Sequence, residues 1–457
     1  MYSLFIQLED STVSFTKQLC FMLIVLCGFN SITLGAEEFP QFRGPQGQGH
    51  AEASNLPTTW SETENIAWKA AVPGKGHSSP VISGSQIWLT TAVVQELTEA
   101  EKKAKLAQIP NSNSLELVGQ VSLQAVCFDR NSGQLVRTVN VFQVDSPEPI
   151  HSLNSYASPT PVLEGGRLYC HFGLYGTACV DTATGTTVWK NQTLQVNYQN
   201  GAGSSPILWG NLLIIHFDGI DHQYLAAFDK SSGEVKWKTK RTGEMNPKPE
   251  MQKAYCTPLV VADENGVQLI SPAADWVYSY NPATGDELWK AKYGKLGFST
   301  VPRPVVGHGM AFICTSYMQS VLLAVKYDGR GDVTNSHIVW KSDKQIPKKP
   351  SLMLVGDELY VVSDAGIASC LDAKTGQEHW RERLTGNYSA SPLMADGKIY
   401  FCDQEGKTVV IAPGKTYQKL SENTLSSGCM ASPVAVDQAL YLRTDTHLYR
   451  IQQAAQK

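Results

Sequence analysis

A proline followed eight positions later by a large apolar residue recurs along the chain and limits what it can fold into. The six clear copies are Pro80/Trp88, Pro161/Tyr169, Pro206/Ile214, Pro304/Phe312, Pro392/Tyr400 and Pro433/Tyr441. Between the two residues lie a short apolar strand, a turn rich in Gly, Asp or Asn, and a second strand. Proline cannot donate to a strand ladder, so it is restricted to edges and strand starts. The repeat therefore predicts small sheets whose first strand has an unpaired edge.

A second motif follows the first and completes each unit. The pattern D/N-x-x-[ST]-G-x-x-x-W occurs at 181–189, 229–237, 281–289 and 372–380, and 129–137 has Arg137 in the tryptophan place. Asp or Asn with Gly forms a tight turn, and the Trp lies on the outgoing strand, where its ring can pack between sheets. Each unit is thus four antiparallel strands in about 40–50 residues, which is typical of a propeller blade.

The number of copies predicts the architecture. First strands begin near residues 80, 161, 206, 258, 304, 351, 392 and 433, and the last copy ends at 446–453 without a fourth strand. A lone strand with Trp68 lies far upstream, at 64–72. We therefore predict an all-β, eight-bladed β-propeller of four-stranded antiparallel blades over 65–453, closed by this N-terminal strand in the last blade. The alternatives are an open solenoid, or seven blades with a separate hairpin.

The segments outside the repeats have other interpretations. The apolar run at 19–29 is too short to span a bilayer, and small residues end at Ala36, so 1–36 is interpreted as a signal peptide; an uncleaved anchor is the alternative. Residues 37–64 form an N-terminal arm. A capping box at Thr98 and Glu101 predicts a short helical insertion over 98–108, as a surface elaboration. The protein is expected to be exported, periplasmic or secreted, without a transmembrane segment after cleavage.

Charge and cysteine content exclude several classes. The net charge is −4 and 18% of residues are charged, so no basic excess points to nucleic acid. The ten cysteines include no C-x-x-C and no adjacent pair, which argues against a zinc ribbon or attached haem. Cys170 and Cys179 flank a possible hairpin, and whether they form a disulfide stays open at this point.

The tryptophan-containing units resemble the tryptophan-docking repeats of pyrroloquinoline-quinone (PQQ) type propellers, over about 40–453. The opening "FPQFRGPQGQG" (39–49), with "NIAWK" and "GKGHSSPVISG" after it, is similar to a group of exported bacterial PQQ-like propeller proteins. The resemblance implies one of two functions. One is an alcohol dehydrogenase that uses PQQ and calcium; the other is a cofactor-free scaffold, such as the propeller lipoprotein that helps assemble outer-membrane barrels.

Candidate site residues are few. The dehydrogenases that the chain resembles carry two adjacent cysteines beneath the quinone, and this chain has none. Arg303 precedes a strand-one proline where other repeats have a hydroxyl residue: Ser79, Thr160, Ser205, Thr257, Ser391 and Ser432. A lone guanidinium there could hold an anion, or form a salt bridge to a loop carboxylate. The further candidates at the channel mouth are Tyr255, Asn387, Tyr388, His77 and His151.

Two acidic loops look like calcium sites but lack the necessary ligand pattern. "FDGID" (Asp218, Asp221) and "DGRGD" (Asp328, Asp332) have neither the alternating ligands nor the terminal Glu of a calcium loop, so both are interpreted as turns. No metal site and no catalytic residue are predicted.

These observations favour a binding or scaffold module for a protein, a polysaccharide or a small anionic ligand. Its partner would be an unknown protein or envelope component, with no nucleic acid and no cofactor expected. The alternative is a PQQ-dependent alcohol dehydrogenase (quinoprotein) with a divergent site, whose cofactors would be PQQ and calcium. A third possibility is a propeller that binds PQQ or calcium without turnover.

Overall fold

The computed structural model describes residues 38–109, 112–264, 266–293 and 297–454. Contacts separate the chain into Met1–Ala36 and Glu37–Lys457, and all described residues belong to the second unit. The interpretation of 1–36 as a signal peptide lies outside the described residues. In the described part, no helix is long and apolar enough to cross a membrane.

Short β-strands account for nearly all regular structure in this unit. From the N-terminus to the end of the fourth blade the elements are β1 (Ile66–Ala71), β2 (Val81–Ser83), β3 (Gln86–Gln95), α1 (Glu99–Leu106), β4 (Leu115–Glu116), β5 (Gln120–Asp129), β6 (Leu135–Asp145), β7 (Ile150–His151), β8 (Val162–Glu164), β9 (Arg167–His171), β10 (Thr177–Asp181), β11 (Thr187–Asn191), β12 (Ile207–Trp209), β13 (Leu212–Asp218), β14 (Gln223–Asp229), β15 (Val235–Lys240), β16 (Leu259–Asp263), β17 (Gly266–Pro272), β18 (Trp276–Tyr280) and β19 (Glu287–Lys292). The remaining strands are β20 (Val305–Gly307), β21 (Met310–Cys314), β22 (Leu322–Lys326), β23 (Gly331–Asp332), β24 (Ile338–Ser342), β25 (Met353–Val355), β26 (Glu358–Val362), β27 (Ile367–Asp372), β28 (Glu378–Arg383), β29 (Leu393–Ala395), β30 (Lys398–Cys402), β31 (Lys407–Ala412), β32 (Gln418–Thr424), β33 (Val434–Val436), β34 (Ala439–Arg443) and β35 (His447–Gln452). Single 3₁₀ turns lie at Ser112–Ser114, Gly173–Tyr175 and Pro249–Met251.

These strands form eight antiparallel sheets, as the repeat count predicts. In chain order, with strands in spatial order, the blades are β2-β3-β5-β6, β8-β9-β10-β11, β12-β13-β14-β15, β16-β17-β18-β19, β20-β21-β22-β24, β25-β26-β27-β28, β29-β30-β31-β32 and β33-β34-β35-β1. Blade four also carries the short strand β23, which pairs parallel with β19. Outside the blades, β4 and β7 form a two-stranded sheet. The predicted eight-bladed propeller of four-stranded blades is confirmed.

The two ends of the chain meet in blade eight. Strand β1 pairs antiparallel with β35, and Trp68 lies opposite Arg450 in the ladder. Beyond the strand, the Gln452 amide donates to the carbonyl oxygen of Asn65 at 2.9 Å. The predicted closure of the ring by an N-terminal strand is therefore confirmed, and the solenoid and seven-blade alternatives are wrong.

At the hub, each blade is hydrogen-bonded to the next through a hydroxyl. The backbone amide just before a first strand donates to the Ser or Thr hydroxyl at the same position of the following blade. The bonds run from Ser79 to Thr160 (2.9 Å), Thr160 to Ser205 (2.9 Å), Ser205 to Thr257 (2.9 Å), Arg303 to Ser351 (3.0 Å), Ser351 to Ser391 (3.0 Å), Ser391 to Ser432 (2.9 Å) and Ser432 to Ser79 (3.1 Å). We call these residues the hydroxyl ring. Arg303 occupies the one place without a hydroxyl, so the ring is interrupted between blades four and five.

The fourth-strand tryptophans dock on the turn of the next blade. In five blades the indole Nε1 donates to a carbonyl oxygen of that turn. The pairs are Trp68 to Arg130 (3.0 Å), Trp189 to Lys230 (3.0 Å), Trp237 to Pro282 (3.2 Å), Trp340 to Ala373 (3.0 Å) and Trp380 to Gly414 (3.0 Å). The turn glycine lies under the ring: a Cβ on Gly133 would be 2.6 Å from Trp68. Arg137 makes the equivalent contact in blade one by donating to the carbonyls of Ala183 and Thr184.

Blade seven has Ser421 in the tryptophan place, and the N-terminal arm replaces the missing ring. Trp60 packs on Tyr400 with ring centroids 6.3 Å apart. The corresponding strand-two and strand-four rings of other blades are 6.0–6.2 Å apart. The Ser421 hydroxyl donates to the Thr58 carbonyl, and the Trp60 amide donates to Asn423 Oδ1 at 2.8 Å. The arm is therefore part of the packing around blade seven.

The cysteines of the described chain are all buried free thiols. Cys170 lies opposite Ala178 and Cys179 lies opposite Tyr169 in the β9–β10 ladder. Adjacent positions on a strand point to opposite faces, so the two thiols enter different inter-blade cores. A Cys170–Cys179 disulfide is therefore not formed.

The contact between Trp68 and blade one should be a large contributor to stability. We expect Trp68→Ala to lower the free energy of unfolding by about 3 kcal/mol, because the variant loses a buried ring face and the bond to the Arg130 carbonyl. Urea denaturation followed by tryptophan fluorescence measures this. Val188→Ala, at a 44% exposed position on a fourth strand, is the control and should cost less than about 0.5 kcal/mol. Equal midpoints for the Trp68 variant and wild type would contradict the docking role.

The hydroxyl ring can be tested at Ser391. Ser391→Ala leaves the buried amide of Ser351 without its acceptor, which should cost about 1–3 kcal/mol. Ser391→Thr keeps a hydroxyl, as at positions 160 and 257, and should retain most of the stability. If both variants unfold at the same denaturant concentration, the hydrogen bond is not what position 391 contributes.

Candidate functional site

The blade topology gives the disc two different faces. One side of the disc carries the tight turns that join strands one to two and three to four, such as those at Gly84 and Gly133. We call this side the turn face. The loop face carries the connections between strands two and three and between consecutive blades. Turns contain few residues, so the longer segments that can build a site collect on the loop face.

Two adjoining cavities lie on the loop face over blades one to three and the edge of blade eight. Their volumes are about 540 and 640 Å³, and both are lined by Leu115, Ile150, Ser155 and Tyr156. We call the two together the loop-face cleft. The larger cavity is also bordered by Lys102 and Leu106. Helix α1 is thus one wall of the cleft rather than only a surface elaboration.

Aromatic side chains and main-chain groups form the smaller cavity. The Tyr156 hydroxyl donates to the Glu148 carbonyl at 2.9 Å, and the Glu148 amide donates to the Tyr175 hydroxyl at 3.0 Å. Burial raises the pKa of both tyrosines well above the ordinary value, so they stay neutral. Asn197 and Gln199 add amide groups to the lining. Rings and neutral hydrogen-bonding groups therefore form most of this cavity, and Glu148 and Glu250 also line it.

The larger cavity is lined by charges of both signs. Lys102 forms an ion pair with Glu96 at 2.9 Å, so two of the charges that line the cavity neutralise one another. Lys75, Glu116 and Asp445 also line it. With Glu148 and Glu250 of the smaller cavity included, the lining of the cleft contains five carboxylates and two lysines.

The predicted site residues on blades one to four lie near this cleft. His77 lines the larger cavity, and burial, with the nearby charge of Arg443, lowers its pKa to about 4. His151 Nδ1 accepts from the Leu153 amide at 3.1 Å, and burial lowers its pKa as well. The Tyr255 hydroxyl donates to the carbonyl of Tyr198, which lines the smaller cavity, at 2.8 Å.

Two predicted residues lie elsewhere. Asn387 and Tyr388 belong to the connection between blades six and seven, where Asn387 Nδ2 donates to Glu405 Oε1 at 3.3 Å. Tyr388 is fully buried in the core between those blades. Neither residue lines the cleft, so the six predicted residues do not come together in one place.

Arg303 lies at the hub. Its side chain is 2% exposed, and Nη1 donates to the Phe42 carbonyl of the N-terminal arm at 2.5 Å. No ion pair with a carboxylate is formed among the described residues, so the salt-bridge interpretation is wrong. Beside it lies Arg43, which is 3% exposed and was not among the predicted residues. No sequence pattern places Arg43 there, because only the docking of the arm brings it to the hub.

A buried ionic group between blades three and four was also missed. Asp218, interpreted from the sequence as a turn residue, is fully buried and lies 3.0 Å from His216 Nε2 and 3.1 Å from Arg241 Nη2. Burial alone would raise the pKa of Asp218, but the charges of Arg241 and His216 bring it below the ordinary value. Arg241 also donates to Ser271 Oγ at 2.8 Å and to the Tyr280 hydroxyl at 3.1 Å. Every charge has a partner, so the group is a structural link between the blades.

A PQQ and calcium site would need oxygen ligands for the metal ion and cationic groups for the carboxylates of the cofactor. The described residues contain no group of three or more His, Cys, Asp or Glu side chains placed to hold a metal ion. The cysteines are not adjacent in the sequence. Arginines that could neutralise carboxylates lie at the hub, but without a carboxylate cluster next to them. No reaction step through PQQ is derived for these residues.

The stability of a variant that lacks His77 should depend less on pH in the acid range. With a folded-state pKa of about 4 against 6.5 unfolded, the unfolded chain binds more protons between these values, so stability falls as pH drops through this window. We expect His77→Gln to show a shallower loss of the urea midpoint from pH 6.5 to 4. His222→Gln, at an exposed position, is the control. The same slope in wild type and His77→Gln would contradict a buried neutral imidazole.

Comparisons with known proteins support the same architecture. A protein-family model described as "Outer membrane protein assembly factor BamB" matches residues 52–239, 123–382 and 273–424. No curated protein matches the chain.

Two solved structures illustrate the likeness. BamB from Moraxella catarrhalis is 14% identical, with a TM-score of 0.50 over 74% of this chain and 99% of that one. The quinohemoprotein alcohol dehydrogenase from Comamonas testosteroni is 11% identical, with a TM-score of 0.63 over 92% of this chain and 81% of that one. At such identities the likeness shows a common fold.

Proposed function

The chain belongs to the family of the outer membrane protein assembly factor BamB, and from this membership we propose that it is an exported scaffold that binds a protein of the cell envelope. The partner segment lies in the loop-face cleft. Export rests on the sequence features of 1–36, which predict a signal peptide. The partner class rests on the family description together with the chemistry of the cleft.

The observation that carries the proposal is the form and lining of the cleft. Two cavities of about 540 and 640 Å³ share a wall, which makes a site longer than a compact cofactor requires. Tyr156, Tyr175 and Tyr198 line the cavity with rings whose hydroxyls are hydrogen-bonded within the protein, and tyrosine rings are enriched at protein interfaces. Asn197, Gln199 and the main chain supply neutral donors and acceptors. A polypeptide segment offers the complementary groups along its length.

A polysaccharide or a small anion fits this lining less well. The tyrosines could bind sugar rings. A polysaccharide, however, would leave the charged groups of the larger cavity, such as Lys75 and Asp445, without partners. An anion would meet Glu96, Glu116 and Asp445 in the larger cavity, which would repel it. A protein segment with charges of both signs satisfies both ends.

The alternative is a PQQ-dependent alcohol dehydrogenase, favoured by the fold that the chain shares with such enzymes. An enzyme of this kind needs oxygen ligands for calcium and a carboxylate base beside the quinone. In the described chain the cleft carboxylates do not form such a group. Protein incubated with PQQ and calcium should therefore show no alcohol-dependent dye reduction. Sustained turnover with any primary alcohol would replace the scaffold proposal with the dehydrogenase.

The partner can be captured from inside the cleft. A photo-crosslinking amino acid at Gln199 or at Glu116, both exposed lining residues, should form an adduct with the same envelope protein in intact cells. The same group at Ser231, exposed on the turn face, is the matched control and should not.

Purified components then decide whether the contact is specific. Leu174→Glu places a charge in the smaller cavity and should weaken binding of the identified protein at least tenfold, whereas Val188→Ala on the outer strand of blade two should not. Binding that is unaffected by Leu174→Glu, or equal cross-linking from Ser231, would show that the cleft is not the docking site.

A further inference from the structure

The N-terminal arm covers the turn-face opening of the central channel. Phe39 pairs with Ile82 of β2, and the Leu163 amide of β8 donates to the Pro40 carbonyl at 2.8 Å. On the other side, the Val306 amide of β20 donates to Gln48 Oε1 at 2.8 Å. The arm therefore contacts the innermost strands of blades one, two and five while it crosses the hub.

This arrangement buries two guanidinium groups next to each other. Arg43 Nη2 donates to the carbonyl oxygens of Gln48, at 2.7 Å, and Leu352, at 2.5 Å. Arg303 reaches the same region from the hydroxyl ring and donates to the Phe42 carbonyl. Burial, followed by the charge of Arg303, lowers the pKa of Arg43 to about 9, which reflects the cost of two cations in one buried place.

Neither charge is neutralised by the described residues. No carboxylate pairs with either guanidinium, and Arg43 Nε, Arg43 Nη1 and Arg303 Nε are buried without an acceptor. The nearby His50 cannot neutralise them, because an imidazole is neutral or positive; its Nε2 contacts the Leu354 carbonyl oxygen at 2.8 Å. Arginine does not lose its proton in proteins, and an unpaired buried charge costs several kcal/mol. Three carbonyl oxygens alone leave two positive charges without a counter-ion and three guanidinium nitrogens without an acceptor.

The glycines of the arm bring the backbone close to these groups. A Cβ on Gly47, whose φ is +69°, would lie 2.5 Å from Arg303 Cζ. A Cβ on Gly49, whose φ is +87°, would lie 2.6 Å from Arg43 Nη2. Only glycine tolerates both the backbone angle and the approach at these positions. The segment "RGPQGQG" is thus shaped around the two guanidiniums.

We propose that the hub holds a small inorganic anion, a halide or an oxyanion such as phosphate, between Arg43 and Arg303. The anion accepts hydrogen bonds from the free N–H groups and neutralises the pair. It thereby links the arm to the interrupted place in the hydroxyl ring. The site lies inside the hub, between the arm and the hydroxyl ring, and does not depend on the function proposed for the loop-face cleft.

Calorimetric titration with inorganic phosphate and, separately, chloride tests the proposal on the protein from Glu37 onward, dialysed against a buffer with a bulky organic anion. We expect one saturable site per chain. Arg303→Ser, which introduces the residue type of the other blades, should bind at least tenfold more weakly, and Arg43→Gln should do the same. Lys419→Gln, an exposed outer-strand variant, is the control and should bind like wild type.

Thermal unfolding gives a second readout. Phosphate also stabilises proteins in general by exclusion from their surface, so the rise of Tm that comes from binding has to be distinguished from this effect. Wild type and Lys419→Gln should show a saturating rise of Tm at low anion concentration, and Arg303→Ser only the gradual rise common to all three. Should Arg303→Ser not fold, bromide in crystals of the wild-type protein should give an anomalous peak between the two guanidiniums. No saturable binding by wild type, or no bromide peak there, would overturn the proposal.

Discussion

The ring of hydrogen bonds from backbone amides to Ser and Thr hydroxyls at the hub is the constraint on which the propeller depends. A strand-one proline removes a donor at the channel edge, and the residue before it then has to connect the blades. Ser or Thr does so with one side-chain acceptor, and the seven bonds are uniform at 2.9–3.1 Å. Uniform spacing at the centre aligns the blades, so that the outer tryptophans reach the next turn. A change in the angle between two blades at the hub would displace their outer strands, and the displacement would increase with distance from the axis.

Ring closure uses the two chain ends and the arm together. Blade eight includes β1, whose Trp68 docks on blade one as the tryptophans of blades two, three, five and six dock on the blades that follow them. Blade seven lacks a tryptophan, and Trp60 of the arm packs on Tyr400 in its place. A segment without regular strand structure therefore supplies the aromatic contact that the repeat lacks. The propeller and the arm are one packing unit around this blade.

The two faces of the disc carry different chemistry for a topological reason. On the turn face the connections are tight turns, and there the glycine-rich arm covers the channel and buries Arg43 and Arg303 at the hub. Long connections on blades one to three, with α1 as a wall, build the cleft on the other face. Charges that lie between blades, such as Asp218 with Arg241, are fully paired. The guanidinium groups of Arg43 and Arg303 at the hub, by contrast, have no carboxylate partner among the described residues.

Local chemistry determined the repeat, and with it the fold. Proline at strand starts, Asp and Gly in turns, and Trp after each turn act over fewer than ten residues, so the blade count and the closing role of Trp68 could be read from the sequence. The environment of the arm could not, because its residues meet the blades only through contacts hundreds of positions apart: Arg43 with Leu352, and Trp60 with Asn423. Six residues chosen for their polarity near first strands lie at the cleft, at the hub and between blades six and seven. The sequence around Asp218 predicts a turn, whereas the folded chain places this carboxylate against His216 and Arg241. Tertiary structure alone decided these environments, because burial and charge pairing depend on which blades and which part of the arm are packed together.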